Sequence, residues 1–285
     1  MKKTHIATAI LMLISLAGAQ PLIAQTDSVK EQLTVPLSDP NKPGKLHVGL
    51  INGSIHVVGY AGKEVVIDAV AELNSNYNSP NKKRESKPDE LASGMKKIST
   101  RGDFDISAEE KNNNVKVNSN SMRRTVNLTI KVPQQFSLKV STVNHGEISI
   151  ENVTGEFEVN NVNGPIQLTN IAGSAVANTV NGQLKANFKS VNSDAPMAFS
   201  TLNGNVDVTF PATAKFNVKL KSDRGEIYSD FDVDVDKTQP KATRSSQDGM
   251  YKVSIDDWVQ GKVNGGGREV MMKNMNGNIY IRKAK

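Results

Sequence analysis

The chain has 285 residues, 35 Lys and Arg against 29 Asp and Glu, a formal net charge of +6 and no cysteine. The missing thiols exclude a disulfide framework, thiolate metal sites, thiol nucleophiles and a bacterial lipoprotein anchor, so packing alone must stabilise the fold in an oxidising compartment. The charge excess is slight and spread along the chain, which weakly favours anionic envelope polymers as partners, while the absence of an aromatic and basic reading motif argues against nucleic acid.

Residues 1–24 read as a signal peptide: Lys2 and Lys3 form a basic start, residues 6–19 an apolar run, and Ala24 a small residue before the cleavage point. The apolar run is shorter than the roughly 20 residues a spanning helix needs, and no second hydrophobic span follows. The mature chain is therefore expected to begin at Gln25, carry no membrane span, and be soluble in the periplasm or outside the cell. Loss of Lys2 and Lys3 leaves a net charge of +4. Residues 25–285 are expected to form one domain with a sizeable core.

After a proline-containing lead (Pro36, Pro40, Pro43), residues 50–60 and then Val65, Ile67 and Ala69 carry the two-residue rhythm of half-buried strands, with a turn at Gly53. From about 74 to 100 the pattern gives way to a polar insertion, read as a long surface loop with a short helix over 88–98. Strand rhythm returns at Phe104 and Ile106, at Val115 and Val117, and at Val126, Leu128, Ile130 and Val132, stopped by Pro133. Phe136, Leu138 and Val140 lead into the most regular stretch of the chain.

There, Gly146, Gly155, Gly164, Gly173 and Gly182 fall nine residues apart. Apolar residues stand two before (Val153, Val162, Ile171, Val180), two after (Ile148, Phe157, Ile166, Ala175, Leu184) and four after the glycines (Ile150, Val159, Leu168, Ala177, Ala186). A unit with three inward residues and a glycine corner cannot bury its own apolar face, so it must stack on its neighbours. Asn163 and Asn181 precede alternate glycines, with Thr154 and Ala172 near the corners between, which predicts an 18-residue coil of two units. Asn-Gly corners of positive φ and a ladder through Asn152, Asn161 and Asn170 are expected. A meander of hairpins with Asn-Gly turns is the alternative, but it gives no reason for an unbroken nine-residue register.

Downstream the phrase recurs more loosely at Gly204, Gly225 and Gly277, and the segment before Gly225 echoes the one before Gly146 as an internal duplication. Residues 236–249 read as a second polar loop. The phrases Ile51-Asn52-Gly53-Ser54-Ile55, the Val-Asn-Gly and Ile-Ala-Gly alternation, and Gly265-Gly266-Gly267 followed by Asn276-Gly277-Asn278-Ile279-Tyr280 together resemble the bacterial, DUF4097-like domain-of-unknown-function family labelled adhesins. That resemblance implies a secreted or envelope β-solenoid and brings no catalytic residues with it.

Of the candidate chemistry, Asp230, Asp232, Asp234 and Asp236 would share one face of a strand and could bridge a cation. Gly265–Gly267 with Arg268 lack the aspartate of a calcium nonapeptide and read as a flexible corner. The tripeptide Arg101-Gly102-Asp103 and the basic run Lys82, Lys83, Arg84 and Lys87 match adhesion and polyanion motifs of low specificity. His47, His56 and His145 have no metal-ligand spacing, with His145 read as a turn residue. Asp223, Arg224 and Glu226 are the nearest cluster to that of a polysaccharide lyase, at a turn where charge is expected anyway. No nucleophile elbow, phosphate loop or zinc helix is present. The sequence is thus that of an all-β, stacked-coil β-solenoid. It is read as an exported, non-catalytic envelope scaffold or adhesin-like binding module for a surface polymer or protein, without cofactor or metal. The alternative is a solenoid enzyme acting on polysaccharide. Sugar binding is disfavoured by the few aromatics, among which Trp258 could be core.

Overall fold

The computed structural model describes residues 28–72, 105–119, 124–192, 194–236, 242–247, 250–255 and 258–285. The signal sequence 1–24, the whole of the insertion at 74–100 with its helix, the tripeptide at 101–103 and the basic run at 82–87 fall outside them.

Alternation of buried and exposed side chains runs through the described chain, and it produces strands throughout. In order they are β1 (Ser28–Pro36), β2 (Gly44–Asn52), β3 (Ile55–Tyr60), β4 (Glu64–Glu72), β5 (Ile106–Lys111), β6 (Asn114–Ser119), β7 (Thr125–Pro133) and β8 (Phe136–Asn144). Next come β9 (Ile148–Glu151), β10 (Thr154–Asn161), β11 (Ile166–Asn181), β12 (Leu184–Val191), β13 (Met197–Asn203), β14 (Val206–Phe210) and β15 (Phe216–Arg224). The last are β16 (Ile227–Ser229), β17 (Val233–Val235), β18 (Ala242–Gln247), β19 (Met250–Ile255), β20 (Val259–Val263), β21 (Glu269–Asn276) and β22 (Ile279–Lys283). All but β18 and β19 join one 20-stranded sheet. The expected second polar loop is therefore corrected in part, because β18 and β19 pair there as an antiparallel hairpin.

The sheet folds into two faces around one core. A major face runs β5–β6–β2–β8–β10, the second half of β11, then β13–β21–β15–β20–β17. A minor face runs β1–β4–β7–β3–β9, the first half of β11, then β12–β14–β22–β16. Pairing between successive coils is parallel, which settles stacked coils over hairpins. The coils β2/β3, β8/β9, β10/β11, β11/β12, β13/β14, β15/β16 and β21/β22 cross from the major to the minor face at a glycine and return, in the central repeat, through Asn152 or Asn170.

The stack does not follow chain order at its ends. β2 and β3 sit between β6/β7 and β8/β9, and β21 and β22 sit between β13/β14 and β15/β16. Inside, Ile148, Ile166, Leu184, Val206 and Ile279 form one continuous buried column. Small Ala175, Ala177 and Ala186 narrow the middle of the core, and phenylalanines fill its C-terminal end, with Phe188 stacked 5.5 Å from Phe210 and Phe210 4.7 Å from Phe216.

Twelve of the fourteen apolar repeat residues are buried, and the exceptions are Val162 and Val180, 36% and 38% exposed. The corners explain this correction. At Asn152 and Asn170 (φ 58° and 53°) the backbone turns in the left-handed region and carries Val153 and Ile171 inward. At Gly164 and Gly182 the strand runs straight to the corner, so the residue two before faces out. Neither of those glycines has positive φ, contrary to expectation, whereas Gly53, Gly204 and Gly277, which also follow asparagine, have the expected positive φ (123°, 150° and 135°). A Cβ on Gly164 would run into the carbonyl of Gly146, and one on Gly182 into that of Gly164, so close stacking of corners requires glycine there.

Candidate functional site

The corner phrase divides its labour by position. Three residues before Gly164, Gly182, Gly204, Gly225 and Gly277, and four before Gly146, a buried or partly buried polar side chain donates to the glycine carbonyl of the adjacent coil. Thr142 bonds to Gly53, Thr179 to Gly164 and Thr201 to Gly182, each at 2.9 Å. Asn161 bonds to Gly146 at 2.9 Å, Ser222 to Gly277 at 3.0 Å and Asn274 to Gly204 at 3.2 Å. The residue directly before glycine builds an outer amide ladder: Asn163 to Asn144, Asn181 to Asn163, Asn203 to Asn181 and Asn276 to Asn203, at 3.3, 2.9, 2.7 and 2.7 Å. The asparagine ladder exists, but not through Asn152, Asn161 and Asn170: the first and last are corner residues on the opposite side, and Asn161 is an internal cap.

Between cap and ladder lies an exposed apolar stripe on the major face. Ile51, Val143, Val162, Val180 and Leu202 are 36–45% exposed and follow one another in register, coil by coil. Beside it, Asn178 donates to Asn160 at 3.2 Å and Ser200 to Asn178 at 2.6 Å. These amides floor a continuous concavity: a cavity of about 760 Å³ bounded by Lys45, His47, Lys116, Lys139, Glu156 and Glu158 shares Asn160 and Asn178 with one of about 580 Å³ along Val162, Val180 and Leu202. A third cavity of about 500 Å³ continues the face at Asn217, Gln260, Lys262 and Glu269. Across the strands, Lys116, His47, Lys139 and Glu158 stand in one row, with Lys139 Nζ 2.8 Å from Glu158. Both partners are about half exposed, so the pair orders side chains more than it stabilises the fold.

The remaining expected candidates scatter. His56 Nδ1 lies 3.0 Å from Ser149 Oγ on the minor face, while His145 turns a corner at φ 53° and His47 lies in the groove. The four aspartates do not share a strand face, because β17 spans only Val233–Val235 and buried Phe231 turns the chain between Asp230 and Asp232. Asp230 accepts the Lys283 backbone N–H, and Asp234 lies opposite Lys262. Among the described residues no three His, Asp or Glu gather as metal ligands. Asp223, Arg224 and Glu226 are exposed at their turn, with Asp223 3.8 Å from Lys221. The glycine run at Gly265–Gly267 is a bonded turn rather than a loose corner: Asn264 donates to the carbonyls of Ala212 and Ala214, and Asn217 accepts Gly267 N–H. Trp258 is half-buried under Lys219 Nζ, 5.0 Å from the ring centre.

Fold and site together define a two-faced β-solenoid with an extended, open surface groove. Residues 137–264 match the family described as Toastrack DUF4097, which bears out the resemblance carried by the repeat. Two solved structures are similar to the chain. One, a "putative cell adhesion protein" from Clostridium sporogenes, is 13% identical with a TM-score of 0.44, covering 90% of this chain and 100% of its own. The other, a "putative adhesin" from Bacteroides fragilis, is 12% identical with a TM-score of 0.38, covering 90% and 97%. No curated protein matches. Among the described residues no helix is long and apolar enough to cross a membrane.

Proposed function

We propose that this protein is exported by a cleaved signal peptide, residues 1–24, and serves the bacterial envelope as a non-catalytic, adhesin-like binding module. Its partner is an extended molecule, a surface polymer or a polypeptide, lying along the major face. The carrying observation is that the cavities of about 760, 580 and 500 Å³ all lie on that one face, the first two over a floor whose amides are already hydrogen-bonded to each other. From β6 to β15 the two joined cavities cross eight strands, about 34 Å at the usual strand spacing. A floor fixed before binding lowers the entropic cost of ordering the site. Polysaccharide cleavage would need an acid and a base converging on one bond; the contacting pair in the groove, Lys139 and Glu158, neutralises itself instead.

The test is capture of envelope material by immobilised protein bearing either Asn178→Trp, which fills the groove, or Gln167→Trp on the minor face. The groove variant should lose capture by about fivefold or more while the minor-face variant retains it. Equal capture by the two would refute the placement.

A further inference from the structure

The minor face ends at β16, which pairs with β22 on its inner side. On that last strand Tyr228 is 51% exposed and stacks on Tyr280, ring centres 5.4 Å apart and planes within 11°. Tyr280 is itself held from behind. Arg282 lies over its other side at 5.0 Å and is fixed by Asp207 at 2.7 Å, while Asn278 donates to the Tyr280 hydroxyl at 2.9 Å. The Asp207 carboxylate beside Arg282 raises the guanidinium further above its ordinary range, so this support stays charged. The result is a flat aromatic ring, clamped on one side and free on the side facing away from the stack.

Two residues to either side, just beyond the ends of β16 and about 7 Å away, Glu226 and Asp230 are exposed carboxylates, one Asp230 oxygen accepting the Lys283 backbone N–H and the other left to a ligand. Their backbones are fixed as well, Glu226 N–H to Asn278 and Asp230 N–H to Ile281. An apolar ring face between two hydrogen-bond acceptors matches the two chemistries of a sugar, a C–H face and a rim of hydroxyl donors. We infer that this edge is a carbohydrate-binding platform: a pyranose unit of a neutral polysaccharide stacks on Tyr228 and donates hydroxyls to Glu226 and Asp230. An acidic glycan would meet like charge at both carboxylates. A quaternary ammonium would want rings on several sides, and here the second ring lies behind the first; a lysine-type cation is the competing occupant that the binding test decides. The platform is on the opposite face from the groove and does not rest on the function proposed for it.

Electrophoresis of the full chain through gels containing dextran, laminarin, xylan or polygalacturonate tests this. Retardation is expected in at least one of the three neutral polymers and not in polygalacturonate. Tyr228→Ala should weaken the apparent Kd by about tenfold or more, Tyr228→Phe should stay within about twofold, and Asn178→Trp in the groove should bind as the unmodified chain does. Far-UV circular dichroism and melting of each variant establish that the fold is intact. No retardation in any neutral polymer, equal retardation of Tyr228→Ala, or saturable binding of choline or polylysine in place of neutral glycan would overturn the inference.

Discussion

The internal caps make a quantitative prediction. Thr179 is 5% exposed, and its hydroxyl donates to the Gly164 carbonyl across the coil interface at 2.9 Å. Thr179→Val keeps the shape and removes the donor, leaving a carbonyl unpaired inside the corner, which costs about 1–3 kcal/mol. The added methyl recovers roughly 0.8 kcal/mol of burial, for a net loss of about 0.2–2.2 kcal/mol. At the usual scaling for a large domain that lowers the melting temperature by roughly 0.4–9 °C. Thr142 lies two coils away, about 10 Å, so Thr142→Val should add its own loss nearly independently. Urea and thermal unfolding of both single variants and the double variant measure this, with Thr179→Ser as the control that keeps the hydroxyl. If Thr179→Val were as stable as Thr179→Ser, the caps would be incidental to the stacking of corners.

Other outcomes follow from the same geometry. Ile166 is 1% exposed between Ile148 and Leu184, so Ile166→Asp should cost several kcal/mol by placing a carboxyl in the core, and an unchanged melting temperature would sink its inward placement. Ending the chain at Arg268 removes β21 and β22 and should leave β13 to β16 open to limited proteolysis; resistance equal to that of the full chain would contradict the inserted position. Burial pushes the Glu110 carboxyl up, but the Ser38 hydroxyl and N–H and the Asn113 N–H together hold it below its ordinary 4.5. A lowered folded value means the contribution is present at neutral pH and fades as pH falls through that value. Stability of the unmodified chain should therefore decline more steeply below pH 4.5 than that of Glu110→Gln, and parallel profiles would count against the contact.

The nine-residue spacing of glycines fixed the coil length and most of the core, because positions two and four after glycine face inward whichever corner they follow. The position two before glycine was ambiguous, since Val153 and Val162 sit in near-identical phrases. What separates them is the other corner's left-handed asparagine, and a sequence does not state a dihedral angle. The polar residue three before glycine carried a usable signal: Asn161, Thr179, Thr201, Ser222 and Asn274 are all small and polar. The groove was hidden for a different reason. Asn160, Asn178 and Ser200 are 18 and 22 residues apart and meet only through strand register, so along the chain each reads as an isolated solvated side chain. The tyrosine platform was further from view, since Tyr228 and Tyr280 are brought together by a coil inserted out of order.

That insertion also accounts for where the repeat is regular. The coils at Gly164 and Gly182 have sequence neighbours on both sides in space, so one corner geometry serves both. Near Gly204 the next coil in space is β21/β22, while the next in sequence, β15/β16, lies one coil further out, and the connection must lengthen to reach it. The step from Gly204 to Gly225 thus spans an inserted coil, whereas the longer step from Gly182 to Gly204 does not, since β13 and β14 pair directly with β11 and β12. Both ends share this device, and beyond each the pairing turns antiparallel, through β4, β1 and β5 at one end and β20 and β17 at the other. A parallel stack could accept another coil at an open end. Antiparallel strands stand beyond both ends of the major face and beyond the β7 end of the minor face, so the groove-bearing sheet offers no parallel edge to a further coil, while β16 remains the one parallel edge among the described strands, beside the tyrosine platform.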